Sequence, residues 1–252
     1  MSQMPPVVAQ LIKGAFLFFP LLAGLFWVGT PLGLLGAAYL ALALELLPSL
    51  ALAQLPLLDE DVSLPRIPVY LSSAGVILLM GWLGLMVGWG EFGLGAMGLL
   101  SFDPRTVLVW TVGLILAAFL LLGGFLIFRR YVGIQEAPFL EQLLPETGRE
   151  KAVFVVLSFS AGLGEEVAYR GFLVPALTLV FGSVWGAALL SSLVFGILHA
   201  YQGWLGVVRT ALLGMVLAAA FIFTGTLWPA ILAHALLDVL VGVVFGKTLM
   251  KA

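Results

Sequence analysis

The stretch AVFVVLSFSAGLGEEVAYRGFLVPALTLVF, residues 152–181, decides the class of fold. It is long enough to cross a bilayer, which needs roughly 20 mostly apolar residues in a helix. Its charged residues are Glu165, Glu166 and Arg170, all near its centre. Such charges cost about 2.5 to 3.5 kcal/mol each at the centre of a spanning helix. Those retained usually face the interior of a helix bundle and have a function. The stretch therefore predicts a membrane helix that carries a polar site.

The composition of the whole chain extends this reading. Of the 252 residues, 62% are hydrophobic and only 10% are charged, and the mean hydropathy is +1.18. A soluble domain is nearer half apolar and a quarter charged, so the lipid bilayer is the expected surrounding. The net charge of -2 and the lack of a basic patch exclude nucleic acid as a partner. The absence of Cys excludes disulfides, thiolate metal ligands and Cys nucleophiles.

Breaking the chain at its polar and Pro- or Gly-rich points predicts eight spanning helices. The spans are 14–29, 31–55, 67–90, 106–128, 152–181, 183–200, 204–225 and 227–246. The predicted fold is an all-α polytopic bundle that forms a single membrane domain over 1–252. Four helices lie in the N-terminal part, 1–130, and four catalytic helices lie in 150–246.

The distribution of basic residues predicts the orientation of this bundle. Cytoplasmic loops of membrane proteins are enriched in Lys and Arg. With the N-terminus inside, nine of the eleven Lys and Arg fall on the cytoplasmic side: Lys13, Arg66, Arg129, Arg130, Arg149, Lys151, Arg209, Lys247 and Lys251. We therefore expect both termini in the cytoplasm. The short loops favour a prokaryotic inner membrane.

The polar residues of the last four spans form pairs with helical spacing. They are Glu165, Glu166, Arg170, His199, His234 and Asp238, and the two His are the only ones in the chain. Residues four apart share one face of a helix. This spacing relates Glu166 to Arg170 and His234 to Asp238, and it places Phe195 beside the imidazole of His199. Three helices therefore each offer one polar face.

The two glutamates of the fifth span are expected to differ in role. An ion pair between Glu166 and Arg170 would neutralise both charges in lipid, which is a structural role. Glu165 is rotated by about 100° from Glu166 on a helix of 3.6 residues per turn. Glu165 is therefore the carboxylate that is free for chemistry.

Two kinds of chemistry fit the remaining groups. Glu165 and His199 can polarise a water molecule as general bases, with His234 stabilising an oxyanion. The same donors, Glu165, His199, His234 and Asp238, can instead hold a divalent metal such as zinc, because His and Glu are an established zinc set. Spacing alone does not separate these two.

The three motifs resemble one protease family. The chain reads EEVAYR at 165–170, FGILH at 195–199 and HALLD at 234–238. This order is similar to the EExxxR, FxxxH and HxxxN/D pattern of the CPBP family, the CAAX-processing and bacteriocin-processing (Abi) intramembrane proteases, which include the Ras-converting-enzyme type. The resemblance covers roughly 150–245 and implies an intramembrane endopeptidase, glutamate-dependent or a metalloprotease. Its substrate would be a membrane-associated protein or peptide, lipidated or not.

The resemblance also implies individual roles. By this likeness, Glu165 activates the attacking water together with His199, and Glu166 and Arg170 brace the site.

The third motif departs from that of relatives that cleave CAAX sequences. By the same likeness, His234 and Asp238 lie around the oxyanion, but those relatives typically carry Asn where this chain has Asp238. An Asn amide can donate a hydrogen bond, whereas an ionised Asp only accepts. The difference favours a peptide substrate other than a CAAX tail.

Two functions of other classes compete with the protease. One is a proton-coupled transporter in which the Glu, His and Asp side chains relay protons, although the internal repeat of many transporters is missing. The other is a non-catalytic membrane scaffold or immunity protein that keeps the fold of the site.

The depth of the predicted residues poses a geometric problem. At 1.5 Å per residue, 152–181 would be about 45 Å long, against a hydrocarbon core of about 30 Å. His234 begins only about seven residues from the outer boundary of its span, which is shallow compared with Glu165. We therefore expect the last helix to be tilted or to start deeper in the bundle, and we expect water to reach the site from the cytoplasmic side.

Overall fold

The computed structural model describes residues 5–58, 64–134, 137 and 139–246, and every regular element in these ranges is a helix. In chain order the helices are α1 (Pro6–Gly29), α2 (Leu34–Leu57), α3 (Arg66–Ala96), α4 (Pro104–Val132), α5 (Phe139–Gln142), α6 (Gly148–Phe181), α7 (Val184–Leu198), α8 (Ala200–Thr224) and α9 (Trp228–Phe245). The prediction of an all-α membrane bundle is confirmed.

Seven of these helices are long and apolar enough to cross a membrane: α1, α2, α3, α4, α6, α8 and α9. The predicted span 183–200 corresponds to α7, which is apolar but has only 15 residues. Each predicted span therefore has a helix, but α7 is too short to cross a bilayer of ordinary thickness upright. The cytoplasmic position of the termini stays a prediction.

Local capping explains where several helices begin and end. Thr147 and Glu150 form a capping box at the start of α6, in which each side chain accepts a backbone N–H of the other residue. Asp103 caps α4 by accepting the N–H of Thr106. Gly182 ends α6 with a positive φ of 65°, and Ser183 caps α7 by accepting the N–H of Gly186. Helices α6 and α7 therefore form an antiparallel hairpin.

Helix α6 is not uniformly α-helical. Its α-helical part ends at Glu166, and a π-helical segment, Val167–Leu173, follows before the α-helix resumes at Val174. Every residue of the π segment is buried. Widened turns of this kind occur often at functional sites, and this one starts directly after Glu165 and Glu166.

Two glycines allow other helices to approach α6 closely. A Cβ at Gly162 would lie 2.6 Å from the Ile231 carbonyl oxygen on α9. A Cβ at Gly164 would lie 2.5 Å from the Ile77 carbonyl oxygen on α3. Only glycine allows backbones this close, as in other membrane bundles. Helix α6 is therefore held between α3 and α9 at the level of the two glutamates.

Helix α9 begins deep in the bundle, which is one of the two arrangements expected from the position of His234 in the sequence. The Leu227 N–H donates to the Gly98 carbonyl oxygen at 2.9 Å, and Thr226 Oγ1 donates to the Ser101 carbonyl oxygen at 2.6 Å. The Leu227 side chain lies against Gly171, ten residues before the end of α6 at Phe181. At 1.5 Å per residue, α9 therefore starts roughly 15 Å below the α6–α7 turn.

Candidate active site

The three sequence motifs meet at the middle of the bundle. Glu165 lies 16 residues before Phe181, and His199 lies 15 residues after Val184, so both are roughly 23 Å from the α6–α7 turn. The deep start of α9 brings His234 to the same level. The structure therefore brings residues of all three motifs, on α6, α7 and α9, to one level of the bundle.

His234 is the centre of the cluster. Its Nδ1 lies 2.8 Å from Glu166 Oε1. Its Nε2 lies 3.7 Å from Glu165 Oε2 and 3.7 Å from Asp238 Oδ2. Because an ionised carboxylate only accepts, Nδ1 donates its proton to Glu166. The other ring nitrogen faces the two acids that have no hydrogen bond to the ring.

Glu166 and Arg170 form a fully buried ion pair. Arg170 Nη1 donates to Glu166 Oε1 at 2.8 Å, and Nη2 donates to the Gly214 carbonyl oxygen at 3.0 Å. The guanidinium also lies over the Phe195 ring, 4.5 Å from its centroid. Both side chains have no exposed surface. The pair thus connects α6, α7 and α8 and holds the oxygen that orients His234.

His199 is placed by the end of α7. It caps the helix at φ -96° and ψ 19°, and its Nδ1 lies 2.8 Å from the Phe195 carbonyl oxygen. A carbonyl oxygen only accepts, so Nδ1 carries the proton and donates it. The neutral imidazole then has its lone pair on Nε2. The ring packs between Phe195 and Tyr201, with centroid distances of 4.8 and 5.8 Å.

Phe195 joins the two histidines. Its ring is 4.8 Å from the centroid of His199 and 5.9 Å from that of His234, and it also lies under the Arg170 guanidinium. This contact follows from the FxxxH spacing for His199, but nothing in the sequence predicts it for His234.

Glu165 and Asp238 differ in exposure and in partners. The Glu165 side chain is 13% exposed, and its buried Oε2 has no hydrogen-bond partner among the described residues. The Asp238 side chain is 42% exposed. Asp238 therefore opens the cluster toward its surroundings, and Glu165 presents an unpaired oxygen toward the cluster interior.

Two members of the metal set predicted from the sequence, His199 and His234, each have one ring nitrogen in a hydrogen bond. Among the described residues, no group of three or more His, Cys, Asp or Glu side chains could hold a metal ion. His234 already uses Nδ1 for Glu166, and His199 uses Nδ1 for the Phe195 carbonyl oxygen. The zinc hypothesis stays a prediction.

Sequence reasoning missed three contributors to the site. The Gly214 carbonyl oxygen accepts a hydrogen bond from Arg170. Tyr201 packs on His199, and Tyr169 packs on Phe195 with a centroid distance of 5.3 Å. Tyr169 lies inside the EEVAYR motif, and this position is the one feature of the sequence that could have indicated its contribution to the site.

The fold and this cluster define an integral membrane protein with a buried glutamate and histidine site. Residues 148–240 match the family model described as Rce1-like, type II CAAX prenyl endopeptidase Rce1-like. The match includes all three motifs and confirms the resemblance of this segment to CAAX proteases. No curated protein and no solved structure matches the chain.

Proposed function

We propose that the protein hydrolyses a peptide bond of a membrane-associated protein or peptide with a water molecule activated by Glu165 and His199. The observation that supports it best is the buried, unpaired Glu165 Oε2 located 3.7 Å from His234. A carboxylate held in this way needs a polar partner, and a water molecule or a substrate amide supplies one.

The reaction requires one general base that accepts a proton from the attacking water. Glu165 or the free Nε2 of His199 accepts a proton as the water oxygen attacks the carbonyl carbon. The resulting tetrahedral intermediate carries its negative charge on the former carbonyl oxygen. The C–N bond then breaks, and the abstracted proton passes to the departing nitrogen. The products are a carboxylic acid and an amine.

His234 is the proposed partner of the developing oxyanion. To donate from Nε2 while Nδ1 bonds Glu166, the ring must carry both protons. Three acids surround it, Glu165, Glu166 and Asp238, and balance that positive charge. An ionised Asp238 accepts hydrogen bonds but cannot donate one, so its proposed role is to orient His234 and the incoming substrate.

The proposed substrates are peptides that reach the site from the bilayer or its surface. The helices expose many large apolar side chains, as a lipid-facing surface does. The family description names a prenyl endopeptidase, so a prenylated CAAX peptide is one substrate to assay. The carboxylate at Asp238 favours a different peptide, which a library would identify.

A cleavage assay with paired variants tests the proposed function. We expect the reconstituted protein to cleave members of a membrane-peptide library. Glu165→Gln and His199→Ala should each lower kcat by at least about 100-fold, because removal of a general base costs 10²–10⁴-fold. Glu91→Gln is the matched control, since Glu91 accepts from the Gly33 N–H in another part of the bundle. Equal cleavage by all four proteins would refute the proposal.

The metal hypothesis is tested in the same assay with a zinc chelator. The water mechanism written above predicts unchanged kcat after chelation. Loss of activity that added zinc restores would instead support ligation by the predicted set, Glu165, His199, His234 and Asp238.

A further inference from the structure

Tyr169 is a buried tyrosine whose hydroxyl has no assigned task. The residue is 1% exposed, and its hydroxyl has no hydrogen-bond partner among the described residues. Buried hydroxyls are nearly always paired, because an unpaired one loses its bonds to water without replacement. By contrast, the hydroxyls of the buried Tyr39 and Tyr70 donate to the carbonyl oxygens of Met80 and Leu143.

The backbone holds Tyr169 on the same side of α6 as Glu165. The two residues are four apart, and side chains with this spacing share a helix face. Glu166 and Arg170 show that the geometry applies here, since the same spacing brings their side chains to 2.8 Å.

The surroundings of the ring fix its position near the reacting groups. Tyr169 packs edge-on against Phe195 at 5.3 Å, and Phe195 also contacts both imidazole rings. Ser191 Oγ donates to the Tyr169 carbonyl oxygen at 3.0 Å and so fixes the backbone of the π segment. Little freedom is left for the side chain.

Within the part of the chain that the structure describes, the Tyr169 hydroxyl and Glu165 Oε2 therefore both lack a hydrogen-bond partner, and both lie on one helix face. The oxygen can accept and the hydroxyl can donate. A hydrolytic site needs both functions, since Glu165 accepts a proton from water and a donor must face the developing oxyanion. The acids around His234 supply no donor when ionised.

The geometry points to Tyr169 as a further catalytic residue, whose hydroxyl donates a hydrogen bond to the scissile carbonyl oxygen as that oxygen becomes negative. This inference rests on the proposed function. In this assignment Glu165 accepts a proton from the water molecule. The phenol of Tyr169 and the imidazole of His234 each donate a hydrogen bond to the oxyanion.

The test is Tyr169→Phe, which keeps the ring on Phe195 and removes only the hydroxyl. We expect kcat to fall about 100-fold, as for loss of one oxyanion donor, with KM within about twofold. A peptidyl phosphonate, which mimics the tetrahedral oxyanion, should bind more weakly by a similar factor. The melting temperature should be unchanged or higher, because the hydroxyl makes no hydrogen bond to any residue that the structure describes.

Tyr70→Phe is the matched control. Its hydroxyl donates to the Leu143 carbonyl oxygen, and its ring packs on Phe154, well below the glutamates on α6. We expect a lower melting temperature and an unchanged kcat, the reverse of the pattern at Tyr169.

The outcomes separate the two claims. Cleavage that needs Glu165 but keeps its wild-type kcat and phosphonate affinity in Tyr169→Phe would overturn the assignment of Tyr169 alone. Cleavage that survives Glu165→Gln would overturn the proposed function and this inference together.

Discussion

At the scale of single residues, one carboxylate oxygen accepts hydrogen bonds from two side chains. Glu166 Oε1 accepts from Arg170 and from His234, each at 2.8 Å. The buried guanidinium therefore fixes the position of the oxygen that sets the tautomer of His234. A charge in this environment is tolerated only when it is paired, so the pair and the orientation of the imidazole depend on each other.

Replacing Arg170 should therefore destabilise the fold. Arg170→Met removes the guanidinium partner of the buried Glu166 carboxylate and should lower the free energy of unfolding by about 3–5 kcal/mol. Removing both charges with Glu166→Gln and Arg170→Met should recover part of that loss. Reversible unfolding in mixed micelles measures both values.

A more exposed ion pair provides the control for this prediction. Arg66 lies 3.2 Å from Glu146, and their side chains are 20% and 54% exposed. Glu146→Gln, which removes the exposed acid of this pair, should change the free energy of unfolding by only about 1 kcal/mol. A double variant at Glu166 and Arg170 that is as unstable as Arg170→Met would mean that lost packing, and not the unpaired charge, dominates.

At the scale of elements, the distance between α6 and α9 sets the geometry of the site. Gly162 lies against the Ile231 carbonyl oxygen and Ala235, one residue from His234. Any side chain at Gly162 therefore acts on the helix that carries His234 and Asp238, although it touches neither residue.

Gly162→Ala should reduce activity by displacing α9. The added Cβ would lie 2.6 Å from the Ile231 carbonyl oxygen, so the helices must separate. Misplacement by about 1 Å can cost 100-fold in rate, and we expect kcat to fall at least 10-fold while the protein still folds. Steady-state cleavage with a matched melting curve measures this.

Gly75→Ala is the control on α3, because no neighbouring atom lies within 4 Å of the added Cβ. It should keep full activity and add up to about 1 kcal/mol of helix stability. Equal activity of both alanine variants would show that α9 tolerates the shift.

At the scale of the whole molecule, the sequence predicted the helices well because a bilayer allows few other structures. Backbone groups in lipid must bond within the segment, so long apolar stretches form helices. Motif spacing also indicated which polar side chains would meet. The resemblance assigned Glu166 and Arg170 to bracing the site, and their buried ion pair is compatible with that role.

Other features depend on contacts between helices and could not be predicted. Four-residue spacing suggested Asp238 as the partner of His234, but Glu166 on another helix is the closer one, at 2.8 against 3.7 Å. The π segment at Val167–Leu173 and the short length of α7 also follow from packing. No local pattern of apolar residues encodes them.

The hydrogen bond from Leu227 to Gly98 has a consequence for how the two halves of the chain depend on each other. It ties the first turn of α9 to the loop between α3 and α4, which lies outside the matched residues 148–240. That loop sets the depth at which α9 begins in the bundle. The matched segment carries the proposed reactive groups, but the depth of His234 in the bundle depends on a part of the chain that has no motif of its own.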